Sequence, residues 1–336
     1  MIDAQLADLL AEHHELLDLD APARRLALRR HIGDAADAGR LADFIDGLGP
    51  LSELMRDELV SDVLVNGPNE VWVERGGLLV RTEVSLDAGE LTALIERVLG
   101  DAGERADMSQ PIADARLADG SRIHVVMPPL APAGPVLSIR RVPTKTLDLE
   151  DLTRLGTMSE QEAASLTDAV ARRASIVITG GTGTGKTTLL NALLATIDDR
   201  ERVITVEETA ELRPQCPHWV SLVARRPTIE GAGGVDLGTL LRAALRMRPD
   251  RIVVGEVRGA EALVALEAMT TGHDGSLLTV HSSSAMGALD RLVLLAARAG
   301  SSLGEESLRA QFEQAIDVVV HLRREGERRV VDRIVA

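Results

Sequence analysis

The most constraining feature of this chain is a strand–loop–helix stretch over residues 175–197. Ser175-Ile176-Val177-Ile178-Thr179 reads as a strand buried on both faces. It leads into Gly180-Gly181-Thr182-Gly183-Thr184-Gly185-Lys186-Thr187-Thr188, and the helical pattern beyond places Leu189, Leu190, Leu193 and Leu194 on one face. This is the P-loop order G-x-x-x-x-G-K-[ST] in its expected setting. Glycines without Cβ let backbone N–H groups curl around a phosphate, and a helix N-terminus adds partial positive charge. Lys186 is expected to reach the β- and γ-phosphates, and the Thr187 hydroxyl to ligate Mg²⁺. Composition sharpens the reading: of 37 basic residues only two are lysines, Lys145 and Lys186. One of them sits where the broad arginine fork does not fit a slot shaped for an ammonium. ATP and Mg²⁺ are the expected ligands.

Around this stretch, residues 151–336 alternate strand and helix, which predicts a parallel sheet with helices on both faces. The strand candidates are 175–179, 203–207, 252–254 and 277–281, with a closing hairpin from 318–323 and 329–334. Glu207, Glu208 and Glu211 follow the second strand, at the sheet edge where such folds place their sites. Arg251-Ile252-Val253-Val254-Gly255-Glu256 has the hydrophobic-then-acid form of a Walker B strand, with Gly255 where an aspartate usually stands. Glu256 is then left to hold the Mg²⁺-bound water or to orient the attacking one. His273 and His281 bracket the fourth strand and are candidates for sensing the γ-phosphate. Histidine ligation of a metal is disfavoured, because no matching Cys/His cluster accompanies them.

The first half has a different texture. Residues 1–50 show helical spacing, with Leu6, Leu9, Leu10, Leu16 and Leu17, then Arg24 to Arg30, then Leu41, Phe44, Ile45 and Leu48, and predict a helical extension without chemical side chains. Residues 51–142 predict a small α+β domain: strands at 62–65, 70–75, 113–117, 122–127 and 136–141, a hairpin at Gly76-Gly77, and a helix over 88–99 ended by Gly100. Residues 143–150 read as a linker and include Lys145. A net charge of −15 and only four aromatic residues argue against a nucleic-acid partner. The single cysteine, Cys216, excludes a disulfide framework and a Cys₄ zinc module. The start lacks the pattern of a signal peptide, and no apolar run approaches the ~18 residues of a membrane span, so a soluble cytoplasmic protein is expected.

Four stretches in order, ITGGTGTGKTTLLNAL, VITVEETAELR, ALRMRPDRIVVGEVRGAEAL and TGHDGSLLTVHSSS, resemble the secretion ATPases of type II and type IV systems. The resemblance is strongest to the CpaF/TadA-like branch that powers tight-adherence (Flp) pilus assembly. VSDVLVNGPNEVWVERGG and QPIADARLADGSRIHVVMPPLAPAGPVLSIRR extend it into the first domain, so that it spans residues 50–325. It implies a RecA-like ATPase domain and a smaller PAS-like α+β domain in a hexameric motor. That motor would be peripheral at the inner face of the cytoplasmic membrane and docked on a platform protein.

Carried over residue by residue, Lys186 and Thr187 serve phosphate and Mg²⁺, and Glu256 is the Walker B acid. Glu208 and Glu211 come from the Asp box, Glu211 being preferred for water activation. His273 and His281 come from the His box. Arg122, Arg140 and Arg141 match first-domain arginines that reach the γ-phosphate, and Arg258 matches a family arginine without an assigned role. Two departures stand out: a tetracysteine subdomain is impossible, and Glu207-Glu208 replaces the commoner Glu-Asp pair. The rival readings are a RecA-type nucleic-acid motor and a scaffold that binds ATP without hydrolysing it.

Overall fold

Two sheets with opposite burial patterns organise the chain, one in each of two compact units, Met1–Thr144 and Lys145–Ala336. The computed structural model describes residues 12–32, 34–142, 146–225, 233–326 and 328–335. Leu6, Leu9, Leu10 and Lys145 lie outside the described residues.

In the first unit, β1 (Val60–Val65), β2 (Val71–Arg75), β3 (Leu78–Arg81), β4 (Ile112–Arg116), β5 (Arg122–Val126) and β6 (Val136–Arg140) form an antiparallel sheet in the order β3-β2-β1-β6-β5-β4. The strands alternate buried and open residues, so one face carries Val63, Val73, Ile123 and Ile139 into the core. Against that core lie Leu91, Leu94, Ile95, Val98 and Leu99 of the helix Ala88–Asp101. This helix starts at a capping box: Asp87 accepts from the Gly89 and Glu90 amides, and the Glu90 carboxylate accepts from the Asp87 amide. It runs through Gly100, where the sequence predicts its end. Gly103, at φ 73°, makes the left-handed turn instead.

The helices Ala21–His31 and Ala35–Asp46 close a small core of Leu16, Leu28, Ala38, Leu41 and Ala42. They are fastened to the sheet domain by polar contacts. Arg56 pairs with Asp43, and Arg97 donates to the backbone oxygens of Phe44 (2.9 Å) and Gly47.

The second unit is built on β7 (Ile176–Gly180), β8 (Val203–Glu207), β9 (Trp219–Val223), β10 (Arg251–Val257), β11 (Leu277–Val280), β12 (Val318–Glu325) and β13 (Arg328–Val335). Their order is β13-β12-β7-β11-β10-β8-β9, parallel except for the terminal β12–β13 hairpin. Ile176 and Ile178 pack with Leu166, Leu189 and Leu193 on one face, while Val177 packs with Leu278, Leu292 and Phe312 on the other. Sequence reading anticipates the alternation but misses β9, an edge strand of half-buried residues.

Candidate functional site

The P-loop leaves the carboxyl end of β7 between β12 and β11, in the middle of the sheet. Gly180 has φ 153°, and a Cβ there would collide with the Leu322 carbonyl oxygen of the neighbouring strand. Gly185 (φ 93°) forms the N-cap of the helix Lys186–Leu194, whose first turn holds Thr187 and Thr188. Thr182 and Gly183 are exposed at the loop tip, and the buried Thr184 hydroxyl donates to the Gly181 oxygen (2.9 Å). Lys186 is nearly buried, and its Nζ folds back to donate to the Gly180 (3.1 Å) and Gly181 (2.9 Å) carbonyl oxygens. Burial pushes the Lys186 ammonium below its ordinary pKa, and Glu256 opposes that shift.

Two strands from β7 in the sheet order, β10 brings Glu256 to the same end. Its pairing with β11 slips by one residue between Val254 and Val257, a bulge at Gly255-Glu256 that re-aims the acid. A Glu256 carboxylate oxygen lies 2.6 Å from His281 Nε2, and the other lies 2.6 Å from Arg258 Nη2. His281, just past β11, stands 3.4 Å by its Nδ1 from Lys186 Nζ. Arg258 also reaches Glu208 at 3.3 Å. Lys186, His281, Glu256, Arg258 and Glu208 therefore form one connected polar chain at the carboxyl edge. Burial lowers the His281 pKa, against the pull of Glu256, and the Glu256 bond raises that of Arg258.

Glu211 lies on the loop after β8, and its main chain is held from both sides. Its amide donates to Glu207 Oε1 (2.8 Å), and its carbonyl accepts from Asn191 Nδ2 (3.2 Å) on the P-loop helix. Glu207 is the residue that sequence reasoning left out of the site. It is 2% exposed, and its Cγ lies 3.0 Å from where a Cβ on Gly255 would stand. The available signal was the glycine itself, since Gly255 is the gap into which Glu207 fits.

Not every candidate comes together. His273 precedes β11, so it sits at the amino edge of the parallel sheet, beside Ser276 and the start of β7. The length of β11, about 13 Å for its four residues, separates that edge from the P-loop. The two histidines therefore lie at opposite ends of β11, and of the two only His281 stands beside the P-loop lysine. Arg122 and Arg140 are register partners on β5 and β6. Arg141 donates to the Asp57 and Val60 (2.8 Å) backbone oxygens and so braces its own domain. Among the described residues, no group of three or more His, Cys, Asp or Glu side chains could hold a metal ion. Thr187 and Glu256 thus offer only part of a Mg²⁺ shell, which fits an ion shared with phosphate oxygens and water.

Residues 45–331 match the family described as type II/IV secretion system protein. A putative conjugal transfer protein from Mycobacterium tuberculosis is 41% identical over 297 residues, 86% of this chain and 84% of that one. The type IV secretion system protein VirB11 of Bartonella henselae is 31% identical over 324 residues, covering 85% and 90%. The X-ray structure of the ATPase DotB from Legionella pneumophila matches at 25% identity with a TM-score of 0.60, over 85% of this chain and 78% of that one. The second unit is accordingly a RecA-like ATPase domain and the first its smaller α+β N-terminal domain. The chain belongs to the type II/IV secretion system protein family.

Proposed function

We propose that this chain hydrolyses ATP with Mg²⁺ and converts the free energy into domain motion within a homohexamer. Its work is the assembly of tight-adherence (Flp) pili or a related type II/IV export. It acts at the cytoplasmic face of the inner membrane through a platform protein, no helix of the described residues being long and apolar enough to cross a membrane. The observation that carries this reading is the meeting of Lys186, His281 and Glu256 under a P-loop, Lys186 Nζ 3.4 Å from the histidine and the histidine 2.6 Å from the acid.

Each residue has a task that follows from its position. The N–H groups of residues 181–188 face the phosphates, and Lys186 exchanges its two loop carbonyls for phosphate oxygens. The Thr187 hydroxyl and the Glu256 carboxylate would hold Mg²⁺ together with phosphate oxygens and water, and the ion would supply charge neutralisation at the phosphates. His281 links the γ-phosphate position to Glu256. Glu211, on its pinned loop, orients and deprotonates water, while Glu208 is tied to Arg258. Arg122 and Arg140 are the adjacent pair that suits the guanidinium role assigned by resemblance to the first domain. A net charge of −15 favours a protein cargo over nucleic acid.

Steady-state ATP hydrolysis by the full chain tests the reading. Lys186→Ala is expected to lower turnover by about a hundredfold or more, and Glu256→Gln to retain ATP binding while losing turnover on the same scale. A wild-type chain that binds ATP and never turns it over would overturn the motor in favour of the non-hydrolysing scaffold.

A further inference from the structure

Glu207 is a buried carboxyl that the proposed reaction does not use. Strands β8 and β10 run in register with Val206 beside Val254, so the next residues, Glu207 and Gly255, are neighbours. A Cβ on residue 255 would stand 3.0 Å from Glu207 Cγ and 3.5 Å from its Oε1. The space beside Gly255, where a side chain would stand, is thus taken by Glu207 of the adjacent strand. From that niche Oε1 accepts two backbone hydrogen bonds, from the amides of Glu211 (2.8 Å) and Leu212 (2.9 Å). Oε2 is buried without a hydrogen-bond partner. Leu212 is itself fully buried, and the next amide, Arg213, donates to Asn191 Oδ1 (2.7 Å). The loop from Glu208 to Arg213 is thus clamped between a carboxyl on β8 and an amide on the P-loop helix.

We propose that Glu207, seated in the space left open by Gly255, is a positioning residue that fixes the loop carrying Glu208 and Glu211 against the nucleotide site. The proposal rests on the ATPase reading above for the purpose of that loop, though not for its geometry. Glu207 works by shape and by one acceptor oxygen, not by charge. Burial supports this, because it pushes the Glu207 carboxyl above the usual carboxylate range, the two amide bonds pulling the other way. Glutamine keeps the shape and the acceptor; alanine keeps neither. Gly255 serves the same end, since a Cβ there would press on Glu207 Cγ at 3.0 Å and push the side chain out of its seat by a few tenths of an ångström.

The test compares full-length wild type with Glu207→Gln, Glu207→Ala, Gly255→Ala and the Glu207→Ala/Gly255→Ala double variant. Amide hydrogen exchange at Glu211 and Leu212 reads the geometry without any activity. Glu207→Ala and Gly255→Ala are expected to speed exchange at both amides by about tenfold, and Glu207→Gln to leave it within about threefold of wild type. Hydrolysis reads the consequence: Glu207→Ala lowers kcat by about tenfold with KM for ATP within about twofold, and Glu207→Gln restores kcat. In the double variant Gly255→Ala adds nothing to the alanine effect, because the side chain it would displace is gone.

Unchanged exchange at Glu211 and Leu212 in Glu207→Ala overturns the proposal. So does a Glu207→Gln variant as slow as Glu207→Ala, which would mean that the charge is needed, and so do fully additive Glu207 and Gly255 effects. If wild type shows no turnover, the ATPase reading fails, while the exchange arm still decides the clamp. Should Glu207→Ala not fold, Gly255→Ala carries the exchange arm.

Discussion

The two sheets of this protein solve burial in opposite ways, and the difference explains where each can carry chemistry. Every residue of β7, β8 and β11 is buried, and successive side chains enter two separate cores. Polar groups in such a sheet gather at strand ends, so Thr179, Glu207 and Gly255-Glu256 all come at or next to a carboxyl edge. The antiparallel sheet buries one face only. On β6, Leu137 and Ile139 are core residues while Ser138 and Arg140 are not. Its open face carries polar side chains along the strands, including Arg122, His124 and Asp114, the last two paired at 2.9 Å. A site on the parallel sheet is a cluster of groups at one edge; a site on the antiparallel sheet is a stripe across a face.

Alanine substitutions along single strands break this comparison most directly. Val177→Ala and Ile178→Ala, though consecutive, are each expected to cost about 2–4 kcal/mol in denaturant unfolding of their domain. On β6 the pattern alternates: Ile139→Ala costs a similar amount, and Ser138→Ala stays within about 0.5 kcal/mol. A silent Val177→Ala would mean that the parallel sheet has one core rather than two. A smaller effect sharpens how the open-faced sheet holds the helix Ala88–Asp101 that packs on it. Asp87→Ala removes the acceptor of the capping box and is expected to cost about 1 kcal/mol.

The smallest effect is a pH dependence at the parallel sheet's edge. Burial holds the Glu207 carboxyl above its usual range, so the folded protein keeps a proton that the unfolded chain releases near pH ~4.3. As pH rises from that value through the raised one, wild type loses the stability that this proton confers, and above the raised value the loss is complete. Glu207→Gln has no proton to lose. Its Tm relative to wild type is expected to rise across that window and then level off. A Tm difference that does not change with pH would show that Glu207 ionises like an exposed carboxylate.

Much of this was legible in the sequence, for identifiable reasons. The P-loop was readable because glycine, lysine and threonine are required at fixed spacing by the phosphate they surround. β7, β8 and β11 were readable because a strand buried on both faces must be continuously apolar. β9 was not, because an edge strand is only half buried and its pattern is correspondingly weak. His273 and His281 are alike in sequence, each flanking the same strand. A parallel strand nevertheless delivers its two ends to opposite edges of the sheet, and only one edge holds the P-loop. Glu207 was passed over for Glu208 and Glu211, since three carboxylates within five residues look equivalent until one is buried.

By itself the sequence determined the phosphate loop, the two kinds of sheet and the family, because local backbone requirements and burial periodicity are written residue by residue. Only the tertiary structure decided which acid faces which neighbour. Gly255 reads as a missing aspartate along the chain and as a seat for Glu207 across it, because strand register, a relation between segments 48 residues apart (207 and 255), sets what fills the space.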